Sequence, residues 1–204
     1  MKNLNTISAM IFLSLLFVNC KSEKKEQNFK AITDAYFNGK NELDPLGATQ
    51  NGQNEYNDKL AFEMTDSYRK KQATFYDKFE KELTTVDTTD LSAEEKNSYD
   101  IIKWEVSIGK DLLKYNTNYM PVQQFWGTNI TLGQFASGSS AQPFKTEKDY
   151  KNFLKRMDLF SVWMDSAMVY MKKGIDKGIV LPKALTVKVI PQFESMVTPD
   201  FTAE

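Results

Sequence analysis

Residues 146–178, "TEKDYKNFLKRMDLFSVWMDSAMVYMKKGIDKG", predict one long helix with a clear beginning and a clear end, and this helix decides the fold class. Thr146 can cap its first turn, and Asp149 follows three residues later near the positive end of the helix dipole. Gly174 or Gly178 can supply the left-handed residue that ends it. Apolar residues at steps of three and four predict its buried face, which consists of Tyr150, Phe153, Met157, Phe160, Met164, Ala167 and Met171.

The same helical spacing occurs in four further segments of the chain. They predict a short helix with Phe29, Ile32 and Tyr36 on one face, a long helix from Glu55 to Val86, a second long helix from Ser92, and a final helix with Pro182 in its first turn. Ser92 and Glu95 have the spacing of a capping box, in which each side chain binds a free amide of the first turn. Past this box, the predicted buried stripe is Tyr99, Ile102, Val106 and Leu113.

Between Asn116 and Phe144 the sequence is rich in Gly and Pro and poor in charge, but it retains aromatic residues. It predicts a long packed loop, in which short strands around "NITL" remain an alternative. Gln123, Gln124 and Trp126 are the candidate cleft-lining residues, with a purely structural role as the alternative. Because no strand–helix alternation occurs, the predicted fold class is all-α, with several long antiparallel helices, one long packed loop and at most minor short strands.

The composition is that of a globular protein, since 41% of the 204 residues are hydrophobic and 26% are charged. The 26 basic and 27 acidic residues are closely mixed, and only Arg69 and Arg156 among the basic ones are arginine. We expect no strong field of one sign and no arginine site for phosphates. Nucleic acid is therefore not an expected partner.

The first twenty residues predict export. The apolar run "ISAMIFLSLLFV" is too short for an ordinary membrane-spanning helix and is typical of a signal peptide. Cys20, the only cysteine, follows in "LFVNC", which resembles the lipobox of bacterial lipoproteins, although a plain secretory signal is the alternative. The predicted organisation is a signal peptide at 1–19, a lipidated Cys20 with a flexible tether at 20–28, and a helical domain at 29–204. The predicted location is the cell envelope, on the periplasmic or surface side of a bacterial membrane that holds the lipid anchor.

The residues do not form a familiar catalytic arrangement. The chain contains no histidine, so Ser–His and Cys–His pairs are excluded. Ser107 and Lys110 have a Ser-x-x-Lys spacing, which we interpret as a mid-helix coincidence. Carboxylate pairs such as Asp87 with Asp90 are typical of solvated helix ends. The methionine-rich stripe that follows Trp163 is interpreted as core, with an adaptable binding surface as the alternative.

Four pieces of the chain, in this order, resemble the domain of unknown function 885 family, many of whose members are bacterial lipoproteins. They are "DPLGATQNGQNEYNDKL", "LSAEEKNSYDIIKWEV", "YMPVQQFWG" and "FKTEKDYKNFLKRMDLFSVWMDSAMVYMKKGIDKGIVLPKALTVKVIPQFESM". The resemblance implies a mostly helical fold similar to zinc-dependent peptidases, with a catalytic helix that carries a motif like His-Glu-x-x-Pro-Gly-His. It also implies zinc and a peptide substrate for the full-length family protein.

The chain departs from that family because it lacks histidine. Zinc sites nearly always use nitrogen or sulfur ligands, so we assign no metal ligand and no catalytic residue to this chain. Family members are considerably longer, and their motif lies beyond the matched pieces. A missing C-terminal domain is therefore expected.

Three hypotheses about function follow from the sequence. The chain is the N-terminal helical part of a lipid-anchored envelope protein resembling zinc-peptidase-like hydrolases, and it lacks the catalytic motif. Alternatively, it is a stand-alone lipoprotein that acts as a binding or interaction module. The third hypothesis is an inactive truncated product.

Overall fold

A computed structural model describes residues 28–195 and residue 197 of the chain. The predicted signal peptide, the candidate lipidation site Cys20 and nearly all of the predicted tether lie outside the described residues. None of the helices in the described part is long and apolar enough to cross a membrane.

Within the described residues the structure contains helices and no strands, which confirms the all-α fold class. The helices are α1 (residues 28–43), α2 (Pro45–Gln50), α3 (Asp66–Leu83), α4 (Ala93–Leu112), α5 (Thr128–Ala136), α6 (Glu147–Lys177) and α7 (Lys183–Glu194). Three short 3₁₀ helices lie at Asn54–Tyr56, Thr88–Asp90 and Thr117–Tyr119.

The described chain divides into two compact units, each with its own apolar core. The first unit contains residues 28–39 and 74–112, and the second contains residues 40–73 and 113–197. In the first, the Tyr36 and Phe79 rings meet edge to face with centroids 5.0 Å apart. The buried core residues of the first unit are Ile32, Tyr36, Phe79, Leu83, Ile102 and Val106, and those of the second are Met64, Val122, Trp163, Ala167 and Tyr170.

The predicted helix ends are confirmed where capping residues define them. The Ser92 amide donates to the Glu95 carboxylate at 2.8 Å, and the Glu95 amide donates to the Ser92 hydroxyl at 3.2 Å. Thr146 and Asp149 form a second capping box at the start of α6. Of the two candidate glycines, Gly178 ends this helix, with a left-handed φ of 69°.

The predicted helix from Glu55 to Val86 is wrong over its first third, because α3 begins only at Asp66. The side chains of Asn57 and Thr49 are hydrogen-bonded at 2.8 Å, and Asn57 also donates to Asn54. Such local side-chain bonds compete with helical backbone bonds. The apolar residues that follow, including the fully buried Met64, pack in the core from an irregular segment.

The predicted long loop between Asn116 and Phe144 also needs correction. It contains helix α5 and a 3₁₀ turn, and the alternative of strands around "NITL" is wrong. Leu132 and Phe135, three residues apart, are both buried on one side of α5. Burial at helical spacing therefore outweighs the low helix propensity of the Thr and Ile residues in this stretch.

The predicted buried face of α6 is confirmed at Ala167 and wrong at three positions that are exposed. The other three predicted positions are half-buried, and two of them, Phe160 and Met164, pack against the core of the second unit. The residues that α6 buries are Arg156, Trp163, Ala167, Tyr170 and Gly174. Tyr150, Met157 and Met171 are exposed. Both faces are apolar enough to pack, and the buried one includes an arginine, which sequence patterns assign to the surface.

Arg156 is fully buried and donates hydrogen bonds to five oxygen atoms of the second unit. Its Nε donates to the Lys59 carbonyl at 2.9 Å, and one terminal nitrogen donates to the Gln142 side chain at 2.5 Å. The other nitrogen reaches the carbonyls of Pro45 and Tyr56 and the hydroxyl of Thr49. Burial lowers the pKa of Arg156 to about 10, against the raising effect of nearby Asp58 and Asp44.

We predict that Arg156→Lys lowers the free energy of unfolding by about 3 kcal/mol or more, because an ammonium has three donors on one atom and cannot reach all five acceptors. The neighbouring Lys155→Met is the control. It removes an ion pair between the exposed Lys155 and the half-buried Asp58 and is expected to cost about 1 kcal/mol or less. Urea unfolding followed by circular dichroism measures both. Equal losses for the two variants would contradict the assigned role of Arg156.

Candidate functional site

A polar pocket of about 420 Å³ lies in the second unit. Its walls come from the end of α1, α2, the irregular segment before α3, the first turns of α3 and the start of α5. Leucine, proline and alanine side chains form its apolar part, and its polar groups include Asp44, Gln50, Glu63, Gln72 and Thr131. We call this cavity the polar pocket.

Glu63 is the most constrained polar residue of this pocket. One carboxylate oxygen accepts a hydrogen bond from the Thr128 hydroxyl at 2.9 Å. The other accepts from the indole N–H of Trp163, also at 2.9 Å. Trp163 is fully buried on α6, so the carboxylate is fixed by one partner from α5 and one from α6.

Burial raises the pKa of Glu63 above its ordinary value, because the low-dielectric surroundings disfavour the charged form. The hydrogen bonds from Trp163 and Thr128 act in the opposite direction, and the negative charge of Asp44 adds to the increase. Asp44 itself caps α2, since its carboxylate accepts from the Gly47 amide at 2.9 Å. Within the described residues, neither carboxylate has an ion-pair partner.

An apolar groove of about 520 Å³ lies elsewhere in the second unit, where α6, α7 and residues 119–122 meet. Methionine side chains of α6 form one wall, and Val189, Ile190 and Phe193 of α7 contribute to another. This volume lies within the range of small-molecule sites. We call this cavity the apolar groove.

The residues predicted to line a cleft lie in the segment between the two cavities. Gln123 and Gln124 are half-buried, and the Gln124 carbonyl accepts from the Gln192 side chain at 3.2 Å. Trp126 is 64% exposed and stacks on Phe125 with ring centroids 6.1 Å apart. None of the three is among the residues that line the polar pocket or the apolar groove. Their role in a cleft stays a prediction.

The sequence did not identify Glu63 as a candidate. A signal was present, because Glu63 stands between the apolar residues Phe62 and Met64 in a stretch assigned to a helix. Lys110, which has a Ser-x-x-Lys spacing from Ser107, forms ion pairs with Asp77 at 2.8 Å and Glu80 at 2.6 Å.

The residues present do not fit the zinc site that the family resemblance implies. The full chain has no histidine, and its one cysteine lies outside the described residues. Among the residues that the structure describes, no group of three or more His, Cys, Asp or Glu side chains could hold a metal ion. We derive no chemical step through a metal.

The fold and the two cavities define an all-α protein with a candidate ligand-binding site in its second unit. The chain belongs to the bacterial protein family of unknown function DUF885, whose model matches residues 45–204. This match confirms the resemblance predicted from the sequence, and the matched region contains Glu63 and all residues of the apolar groove. Neither a curated protein nor a solved structure matches the chain.

We predict that Glu63→Gln removes a pH-dependent contribution to stability. A carboxyl whose pKa is raised on folding stabilises the folded state fully below its unfolded pKa, and this contribution is lost as the pH rises through the raised pKa. Relative to Glu63→Gln, the wild-type chain should therefore lose free energy of unfolding as the pH rises from about 4 towards neutrality.

Urea unfolding at a series of pH values measures this difference. Glu55→Gln is the control, since it removes a carboxylate from an exposed position in the same unit. If wild type and Glu63→Gln show parallel stability curves over this pH range, Glu63 does not titrate with a raised pKa.

Proposed function

We propose that the chain is the N-terminal helical part of a lipid-anchored protein of the bacterial cell envelope that resembles zinc-peptidase-like hydrolases. In this proposal its residues provide binding surface, and the catalytic groups belong to a C-terminal part of the same protein. The observation that supports it is a long apolar surface on α6.

This surface, the α6 stripe, contains apolar side chains at steps of three, four and seven residues. Its members are Tyr150, Leu154, Met157, Met164, Met168, Met171 and Ile175. All except the half-buried Met164 are exposed, and the exposed fractions reach 63% for Leu154 and 67% for Ile175. The stripe runs for about 38 Å along the helix.

A largely exposed apolar surface of this length is unusual on a monomeric protein and is typical of an interaction site. The apolar residues of the α6 stripe recur at the spacing that is typical of a buried helix face. Additional polypeptide that packs along α6 would bury it, and the C-terminal domain expected from the family resemblance is the occupant that we propose.

We predict that the polypeptide encoded directly downstream of codon 204 binds the mature chain, that is, the chain without the predicted signal peptide at 1–19, when added in trans. We expect Leu154→Lys to weaken this binding at least about tenfold. A lysine in the stripe would place a charge in an apolar interface. Val162→Lys is the matched control, because Val162 is an exposed apolar residue of α6 outside the stripe. Titration calorimetry measures the affinities. A stop codon directly after codon 204, or equal effects of the two variants, would contradict the proposal.

The apolar groove supports a second candidate function, a stand-alone module that binds a small apolar ligand. Three of its wall residues, Met164, Met168 and Met171, are flexible and polarizable, and such side chains adapt to ligands of different shape. The exposed wall residue Ile190 offers a way to test the groove separately from Leu154.

For this second function we predict that the mature chain binds dodecanol saturably and that Ile190→Lys abolishes the binding, because a lysine there would bring charge into the groove. Val187→Lys is the control. Val187 is similarly exposed on α7 but does not line the groove. Competition with a fluorescent fatty-alcohol analogue measures the affinity, and binding that survives Ile190→Lys would exclude the groove as the site.

A further inference from the structure

The lining of the polar pocket carries negative charge and no basic side chain. Two carboxylates, Asp44 and Glu63, belong to its lining, and no lysine or arginine does. The nearest buried cation is Arg156, which binds the carbonyl of the lining residue Pro45 from its own network. Its donors are directed at the five neutral oxygen atoms of that network, and it contacts neither carboxylate.

A third acceptor lies beside the pocket wall. Asn129 is 6% exposed, and its side-chain oxygen has no hydrogen-bond partner within the described residues. This oxygen is 3.0 Å from the position that a Cβ atom would take at Gly127, which lines the pocket. A buried acceptor without a donor is uncommon in folded proteins and is typical of a site where a ligand or an ordered water donates.

We propose that the polar pocket binds a primary ammonium group attached to an aliphatic body, with Glu63 and Asp44 as its anionic partners. An ammonium carries three donors and one positive charge, which complements a set of acceptors with negative charge. Leu43, Leu46 and Leu60 provide apolar walls for the aliphatic body. The volume of about 420 Å³ accommodates a small molecule or the amino-terminal end of a longer chain.

The state of Glu63 agrees with this inference. Its pKa is raised because burial disfavours a charge that no cation compensates. An ammonium bound next to the carboxylate would supply that compensation. The hydrogen bonds from Thr128 and Trp163 meanwhile hold the carboxylate in place, so the pocket does not need to rearrange when the ligand binds.

The test uses hexylamine and its neutral analogue 1-hexanol with the mature chain. The indole N–H of Trp163 donates to Glu63. Its indole cross-peak in a ¹⁵N–¹H correlation NMR spectrum therefore reports on the carboxylate directly. Trp104→Phe with Trp126→Phe removes the other two indoles, both of which are exposed. We expect hexylamine to shift the Trp163 cross-peak saturably and to bind at least about tenfold more tightly than 1-hexanol, because hydrogen bonds to charged groups are the stronger ones.

Two charge-removing variants extend the test. Glu63→Gln and Asp44→Asn should each weaken hexylamine binding about tenfold or more, and asparagine at position 44 still caps α2. Asp44→Asn does not alter the partner of Trp163, so it keeps the experiment informative if Glu63→Gln fails to fold. Glu55→Gln should bind hexylamine like the wild-type chain.

Three results would overturn the inference. They are the absence of a saturable shift up to roughly 10 mM hexylamine, equal affinities for hexylamine and 1-hexanol, and unchanged binding in both charge-removing variants. Ile190→Lys separates this site from the apolar groove, because it should affect binding in the groove and leave the Trp163 response unchanged. The hexylamine measurements do not depend on the Leu154→Lys experiment, which tests the proposed function. Failure of one proposal therefore leaves the other standing.

Discussion

The burial of one guanidinium group, that of Arg156, is the constraint on which the second unit depends. A buried charge is stable only when its donors are satisfied, and here five oxygen atoms from two separate stretches of chain satisfy them. Four of these atoms belong to residues 45–59 and one belongs to residue 142, so Arg156 joins both stretches to α6. None of the five acceptors is a carboxylate, so the geometry of the network, more than charge pairing, holds the irregular segment around residues 53–59 in place. Only a short 3₁₀ helix and turn-type backbone hydrogen bonds order this segment internally, so the Arg156 contacts to the carbonyls of Tyr56 and Lys59 add to what holds it.

The same constraint determines which face of α6 turns inward. Arg156 and Trp163 are seven residues apart, about two helical turns, so a helix that buries one also buries the other. The inward position of Trp163 brings its indole N–H to Glu63, which is 100 residues earlier in the chain. The α6 stripe lies about a third of a turn away from that face and is largely exposed. The position of Arg156 on α6 thus decides both the hydrogen bond between Trp163 and Glu63 and the exposure of the α6 stripe.

This dependence explains what could be predicted from the sequence. The all-α class, the capping boxes at Ser92 and Thr146 and the helix end at Gly178 rest on local signals, and the structure confirms them. The buried face of α6 was assigned from apolar residues alone, which cannot distinguish two apolar faces of one helix. The distinction rests on Arg156, four of whose five acceptors lie 97 to 111 residues earlier in the chain. Glu63 was missed for a similar reason, because its partners Thr128 and Trp163 become neighbours only in the folded chain.

Within the described chain, apolar side chains form the two cores and most charged side chains are exposed. Two places depart most from this rule. In the polar pocket, Glu63 is partly buried without a cation, and the cost appears as its raised pKa. On α6, an apolar stripe is exposed to water along most of a 31-residue helix. Proteins tolerate such departures mainly where function requires them. The two departures are opposite in chemistry, because the first is compensated by positive charge and the second by apolar surface. A cationic ligand in the polar pocket and a polypeptide on the α6 stripe would together remove both departures.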